Sequence, residues 1–129
     1  MSGPPLVLIL EDEALIAMTL EDDLEDAGCA VAGSFATCSS ALRWLEHPTP
    51  DVAILDATLR DGTCAEVAAE LNRRGIPFVV HSGNRESRNQ IMELAGAVWV
   101  EKPSSARTMV AALRKLHTTP RLTDVLSPV

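Results

Sequence analysis

Three consecutive acids, Glu11, Asp12 and Glu13, follow an apolar run at residues 6–10, and a fourth, Asp56, follows another at 52–55. Ser82 and Lys102 follow two further apolar runs. Ionised carboxylates repel one another when gathered, so a site built from Glu11, Asp12 and Asp56 needs a compensating cation. A hard divalent ion with oxygen ligands is the usual one. Mg²⁺ suits such a half-site, because it takes one or two carboxylates, keeps several waters and accepts oxygens from a phosphorylated partner. Asp12 and Asp56 are the expected side-chain ligands. Glu11 belongs to the same acidic group, and a backbone carbonyl just after Asp56, that of Thr58, is a further expected oxygen. Lys102 offers an ammonium to pair with a dianion, and Ser82 a hydroxyl to donate to it. An aspartate at the centre of such a group is a nucleophile toward phosphorus, which makes Asp56 the expected phosphoacceptor.

These residues meet only if the chain brings them together, and its patterning says how. Five short runs rich in Val, Ile and Leu, at 6–10, 30–35, 52–55, 78–81 and 97–100, read as strands. Most are continuously apolar, as strands covered on both faces are. Segments of helical period lie at 14–27, 39–46, 65–74, 86–95 and 105–117. Ala17, Leu20, Leu24 and Ala27 share one face of the first, and Ala106, Met109, Val110, Leu113 and Leu116 one face of the last. Gly28, Gly75 and Gly96 stand just past helix ends, and Ser104 is placed to cap the last helix. Strict alternation predicts an α/β fold, a (βα)5 flavodoxin-like sheet of five parallel strands in order 2-1-3-4-5 with helices on both faces. In that order the site forms at the carboxyl ends of the first and third strands. Glu11, Asp12 and Asp56 occupy those two ends, and Ser82 and Lys102 the ends of the fourth and fifth strands.

The set Glu11-Asp12, Asp56, Ser82 and Lys102-Pro103 closely resembles the response-regulator receiver domain of two-component signalling, over roughly residues 5–117. The resemblance implies that Asp56 receives a phosphoryl group from a sensor histidine kinase or a histidine phosphotransfer protein. It implies that Glu11 and Asp12 are the acidic pair at the metal, that Ser82 is the switch hydroxyl and that Lys102 contacts the phosphoryl group. The bond before Pro103 is expected to be cis, and Trp99 stands where the family places an aromatic switch residue. A downstream protein would read the surface made by the fourth helix, the fifth strand and the fifth helix. The loop 57–62 lacks the proline usual in the family and reaches glycine early, so a different local structure is expected there. The segment Pro77-Phe78-Val79-Val80-His81-Ser82-Gly83 also resembles a subgroup of stand-alone receivers.

Composition limits the alternatives. With 129 residues, the chain is expected to hold one receiver domain at 1–117, a tail at 118–129 and no output domain. A net charge of -7 and 11 scattered Lys and Arg residues disfavour direct nucleic-acid binding. Cys29, Cys38 and Cys64 show no metal or redox spacing, and no run is long enough to span a membrane, so a cytoplasmic protein is expected. Plainer readings remain open residue by residue. Glu11 to Glu13 are also what the first turn of a helix favours, Asp56 and Ser82 are also turn residues, and Trp99 is also a core residue. Beside the switching role stand a phosphate sink, a phosphorylation-independent binding module and a haloacid-dehalogenase-like phosphohydrolase. The last requires an acid where this chain has Thr58.

Overall fold

The computed structural model describes residues 3–83 and 91–116. Five parallel strands form one sheet: β1 (Leu6–Leu10), β2 (Ala30–Phe35), β3 (Val52–Leu55), β6 (Phe78–Ser82) and β7 (Val98–Glu101), in the order β2-β1-β3-β6-β7. Two further strands, β4 (Thr58–Leu59) and β5 (Gly62–Thr63), pair antiparallel as a small hairpin outside that sheet. With the hairpin set aside, the main order is the expected 2-1-3-4-5, and the fold is flavodoxin-like.

The pleat explains why contiguous apolar runs were required. Successive side chains of a strand point to opposite faces, so Leu8, Leu10, Ala53, Leu55 and Val80 face one core, and Val7, Ile9, Ile54 and Val79 the other. The first core is closed by α2 (Cys38–Trp44) and α3 (Ala65–Arg74) through Ala41, Val67, Ala68 and Leu71. The second is closed by α1 (Ala14–Asp26) and α4 (Ala106–Arg114) through Leu20, Leu24, Met109 and Leu113. Each large aliphatic side chain so buried contributes about 1.5–3 kcal/mol. Within α4, Ala112 is buried, whereas Ala106 and Val110 of the expected inward face are only half-buried.

Local chemistry sets the helix ends. Gly75 caps α3 at φ 71°, a left-handed conformation that glycine adopts without Cβ strain, and basic Arg73 and Arg74 occupy the last turn. Thr37 caps α2 by accepting from the Ser40 N–H. The cap of α4 corrects the sequence expectation: Ser105, not Ser104, is extended at that position and accepts from the Thr108 N–H at 3.1 Å. Ser104 turns inward instead, its Oγ 2.9 Å from His81 Nε2. Of the helix expected at 86–95, residues 86–90 lie outside the described residues. The described part is a single 3-10 turn, Met92–Leu94. The expected tail at 118–129 also lies outside them.

Candidate functional site

Backbone hydrogen bonds fix the strand ends that carry the acids. The Asp56 N–H donates to the Leu10 carbonyl at 2.8 Å, and the Glu11 N–H to the Phe35 carbonyl at 2.9 Å. The carboxyl ends of β1 and β3 are thereby held side by side. One carboxylate oxygen from each of Glu11, Asp12 and Asp56 lies within 4.8 Å of the others. Glu11 and Asp56 are buried, and Asp12 is half-buried.

Lys102 enters this group from β7. Its N–H donates to the Ser82 carbonyl at 3.1 Å, which pins the loop after β7 to the end of β6. Its Nζ lies 3.0 Å from Asp56 Oδ2 and 2.8 Å from Glu11 Oε1. Burial works against the ammonium, but the carboxylates of Glu11 and Asp56 outweigh it and hold the pKa of Lys102 above its ordinary value. Burial acts the other way on Glu11, whose carboxyl is pushed above the usual range despite Lys102 and despite the Glu13 N–H donated to Oε2 at 3.1 Å. Glu11 Oε1 is buried, and its partner is the Lys102 ammonium at 2.8 Å. Three carboxylates that share one ammonium keep an excess of negative charge, which fits a hard divalent cation.

The remaining expected residues fall around this centre. Thr58 donates its N–H to Asp56 Oδ1 at 3.2 Å, so the residue whose carbonyl was expected near the metal directly follows the site. Ser82 is buried at the end of β6, paired in register with Glu101, next to Lys102. The Lys102–Pro103 bond is cis, as expected. Trp99 lies further up β7, opposite Val80, half-buried against the α2–α3 core. The plainer reading of the acids as first-turn residues does not hold: α1 begins at Ala14, no acid lies in its first turn, and Glu13 makes no side-chain cap. The turn reading of Asp56 survives in part, since its bond to the Thr58 N–H is a turn contact, made alongside the one to Lys102.

Three features escaped the sequence reading. The β4–β5 hairpin replaces the usual loop, anchored by buried Leu59 and by Asp61, whose oxygens accept from the Cys38 N–H at 2.9 Å and the Ser39 N–H at 3.2 Å. At its turn, exposed Arg60 donates from Nη2 to the Asp12 carbonyl at 3.3 Å. His81 is buried, and burial, aided by nearby Lys102, lowers its pKa to about 4. The only signal for the hairpin was Asp61-Gly62, a turn dipeptide, with Gly62 at φ 127°. Cys64 sits near the site, but burial pushes its thiol up to about 12, which leaves it inert.

The sequence matches the family described as Response regulator receiver domain over residues 7–114. It is 30% identical over 115 residues to the transcriptional regulatory protein PdtaR of Mycobacterium tuberculosis, covering 85% of this chain and 55% of that protein. The chain thus spans about half the length of the curated relatives it matches. Among solved structures, SdrG from Sphingomonas melonis Fr1 is 37% identical, with a TM-score of 0.77 over 90% of this chain and 98% of that one. The chemotaxis response regulator CheY4 of Vibrio cholerae has the same fold, with a TM-score of 0.77 at 22% identity over 88% of this chain and 99% of that one. Among the described residues, no helix is long and apolar enough to cross a membrane.

Proposed function

This chain belongs to the response regulator receiver domain family, and from that premise we propose that Asp56 accepts a phosphoryl group from the phosphohistidine of a sensor histidine kinase or histidine phosphotransfer protein. Receivers are phosphoacceptor signalling domains rather than enzymes with a diffusing product. The observation that carries the assignment is Lys102 Nζ lying between Asp56 Oδ2 and Glu11 Oε1, where the carboxylates of Glu11, Asp12 and Asp56 converge.

The chemistry follows from those positions. A carboxylate oxygen of Asp56 attacks phosphorus as the bond from phosphorus to the histidine nitrogen breaks, and the electron pair of that bond leaves with the imidazole. Glu11, Asp12, Asp56 and the Thr58 carbonyl would hold Mg²⁺. When bound, Mg²⁺ neutralises charge on the transferring phosphoryl oxygens. Lys102 pairs with the dianion once Asp56 is esterified, exchanging a carboxylate partner for a phosphoryl one. Ser82, at the adjoining strand end, donates its hydroxyl to the same group. Added charge of about -1.5 to -2 favours a second arrangement of the loops, with Trp99 as the aromatic that moves. A downstream protein then reads the surface of β7 and α4. We place the receiver unit at residues 1–117 and the protein in the cytoplasm. Thr58, where a phosphohydrolase of the haloacid dehalogenase kind needs an acid, argues against that reading.

Incubation with acetyl phosphate and Mg²⁺, followed by intact mass spectrometry, tests the proposal. The wild type gains the mass of one phosphoryl group and Asp56→Asn gains none. Equal gain in both would refute the assignment.

A further inference from the structure

We propose that Arg60 binds the phosphodonor at the rim of the Asp56 site, its guanidinium taking the oxygens of the incoming phosphoryl group before transfer. This rests on the reading of Asp56 as phosphoacceptor and assigns a role to a residue outside the acid, hydroxyl and ammonium set.

Position is the first argument. Arg60 donates to the carbonyl of Asp12, across 48 residues of sequence, and the carboxylate of Asp12 lies within 4.8 Å of that of Asp56. The guanidinium is therefore tethered to the acidic cluster while the residue itself stays exposed. Presentation is the second. Both neighbours of Arg60 are anchored, Leu59 in the α2–α3 core and Asp61 on the N–H groups of Cys38 and Ser39, so the hairpin turn is held over the β1 end of the site.

Charge is the third argument. Three carboxylates face one ammonium here, so an approaching dianion meets net repulsion without Mg²⁺ and no net attraction with it. Lys102 does little to draw a donor in from solvent, because it is buried to 15% exposure and already engages two carboxylates. Arg60 is an exposed cation with a planar fork of five donors, of which the Asp12 carbonyl takes one among the described residues. That fork matches phosphate oxygens in a way that a point charge does not. With acetyl phosphate, the Asp56 oxygen forms the new bond to phosphorus and acetate leaves with the electron pair of the broken P–O bond. Arg60 forms no covalent bond and moves no proton.

Loss of a binding cation and loss of a merely structural residue have opposite effects on metal affinity. Removing positive charge near the acids leaves Mg²⁺ binding unchanged or tighter, whereas collapse of the hairpin weakens it. The test uses the full chain as wild type, Arg60→Ala and Arg60→Lys. Phosphorylation rates are measured against acetyl phosphate concentration at saturating Mg²⁺, and Mg²⁺ and beryllofluoride affinities by tryptophan fluorescence. Arg60→Ala is expected to raise the half-saturating acetyl phosphate concentration and the beryllofluoride Kd by about fivefold, the size of an exposed charge-assisted contact. Its limiting rate stays within about twofold on the same grounds, Mg²⁺ affinity does not fall, and Arg60→Lys recovers part of the loss. Unchanged half-saturation and beryllofluoride affinity would overturn the proposal, as would Mg²⁺ affinity falling in step with them. A wild type that neither takes up a phosphoryl group nor binds beryllofluoride would instead overturn the phosphoacceptor reading, and this proposal with it. Phosphorylation that proceeds normally without Arg60 refutes the Arg60 role alone.

Discussion

Replacing Lys102 by methionine keeps the length of the side chain and removes an ammonium lying 2.8 Å from Glu11 Oε1 and 3.0 Å from Asp56 Oδ2. The three acids then have no cation to offset them, and the loss of stability has a calculable ceiling. Once repulsion exceeds the cost of protonation, Glu11 takes up a proton. For a carboxyl of ordinary pKa 4.5 that costs about 3.4 kcal/mol at pH 7. Burial has already raised Glu11, which lowers that ceiling. Methionine recovers part of the desolvation that the ammonium had cost, which leaves an expected loss of about 1–3 kcal/mol. Because Glu11 has a folded-state pKa above its unfolded one, its protonated form stabilises the fold at low pH. That contribution is lost as pH rises through the folded value. The variant's deficit is therefore largest at neutral pH and shrinks toward about pH 5, and Mg²⁺ narrows it at neutral pH. Urea denaturation of wild type and Lys102→Met at both pH values, with and without Mg²⁺, reads this out. A deficit of the same size under all four conditions would refute the electrostatic account, as would a variant as stable as wild type at neutral pH.

Other consequences follow from particular residues. His81 has a folded pKa of about 4, below its ordinary 6.5, so the unfolded chain binds the proton first. Stability should fall between those values as pH drops, by roughly 3 kcal/mol at most, and an NMR titration showing the ring protonating near 6.5 would contradict this. Asp61 is held below the usual carboxylate range by the N–H of Cys38, and to a smaller extent by that of Ser39. Its contribution is present above the ordinary value of 3.8 and lost as pH falls through the lowered one. Asp61→Ala should thus lower Tm at neutral pH and lose that deficit in strong acid. Ile54 is 1% exposed at the centre of the sheet, and Ile54→Ala should cost about 2–5 kcal/mol in chemical denaturation. A cost under about 1 kcal/mol would mean that the core collapses to fill the space.

The main sheet was legible because a parallel strand covered on both faces must be apolar at every position, as Val52–Leu55 is, all four residues being buried. The site was legible for a related reason. A charged residue directly after such a run has to lie at its carboxyl end, so Asp56, Glu11 and Asp12 converge once strand order is known. Features held by tertiary anchors were not legible. The two-residue strands Thr58–Leu59 and Gly62–Thr63 have no propensity of their own to speak of, and they exist because Leu59 is buried and Asp61 accepts from the N–H groups of Cys38 and Ser39. Serines at 104 and 105 are equivalent as cap candidates, and His81 decides between them by engaging Ser104. Nothing in the spacing of Arg60 signals a contact with Asp12, because the hairpin alone brings them together.

The central claim is that the phosphoryl group resides on one carboxylate. After phosphorylation with acetyl phosphate and Mg²⁺, borohydride reduction converts an aspartyl phosphate to homoserine, which peptide mass mapping locates by residue. Reduction confined to position 56, and absent when the donor is omitted, is the predicted result. Homoserine at position 12 or elsewhere, or none from protein that has taken up phosphate, would contradict it.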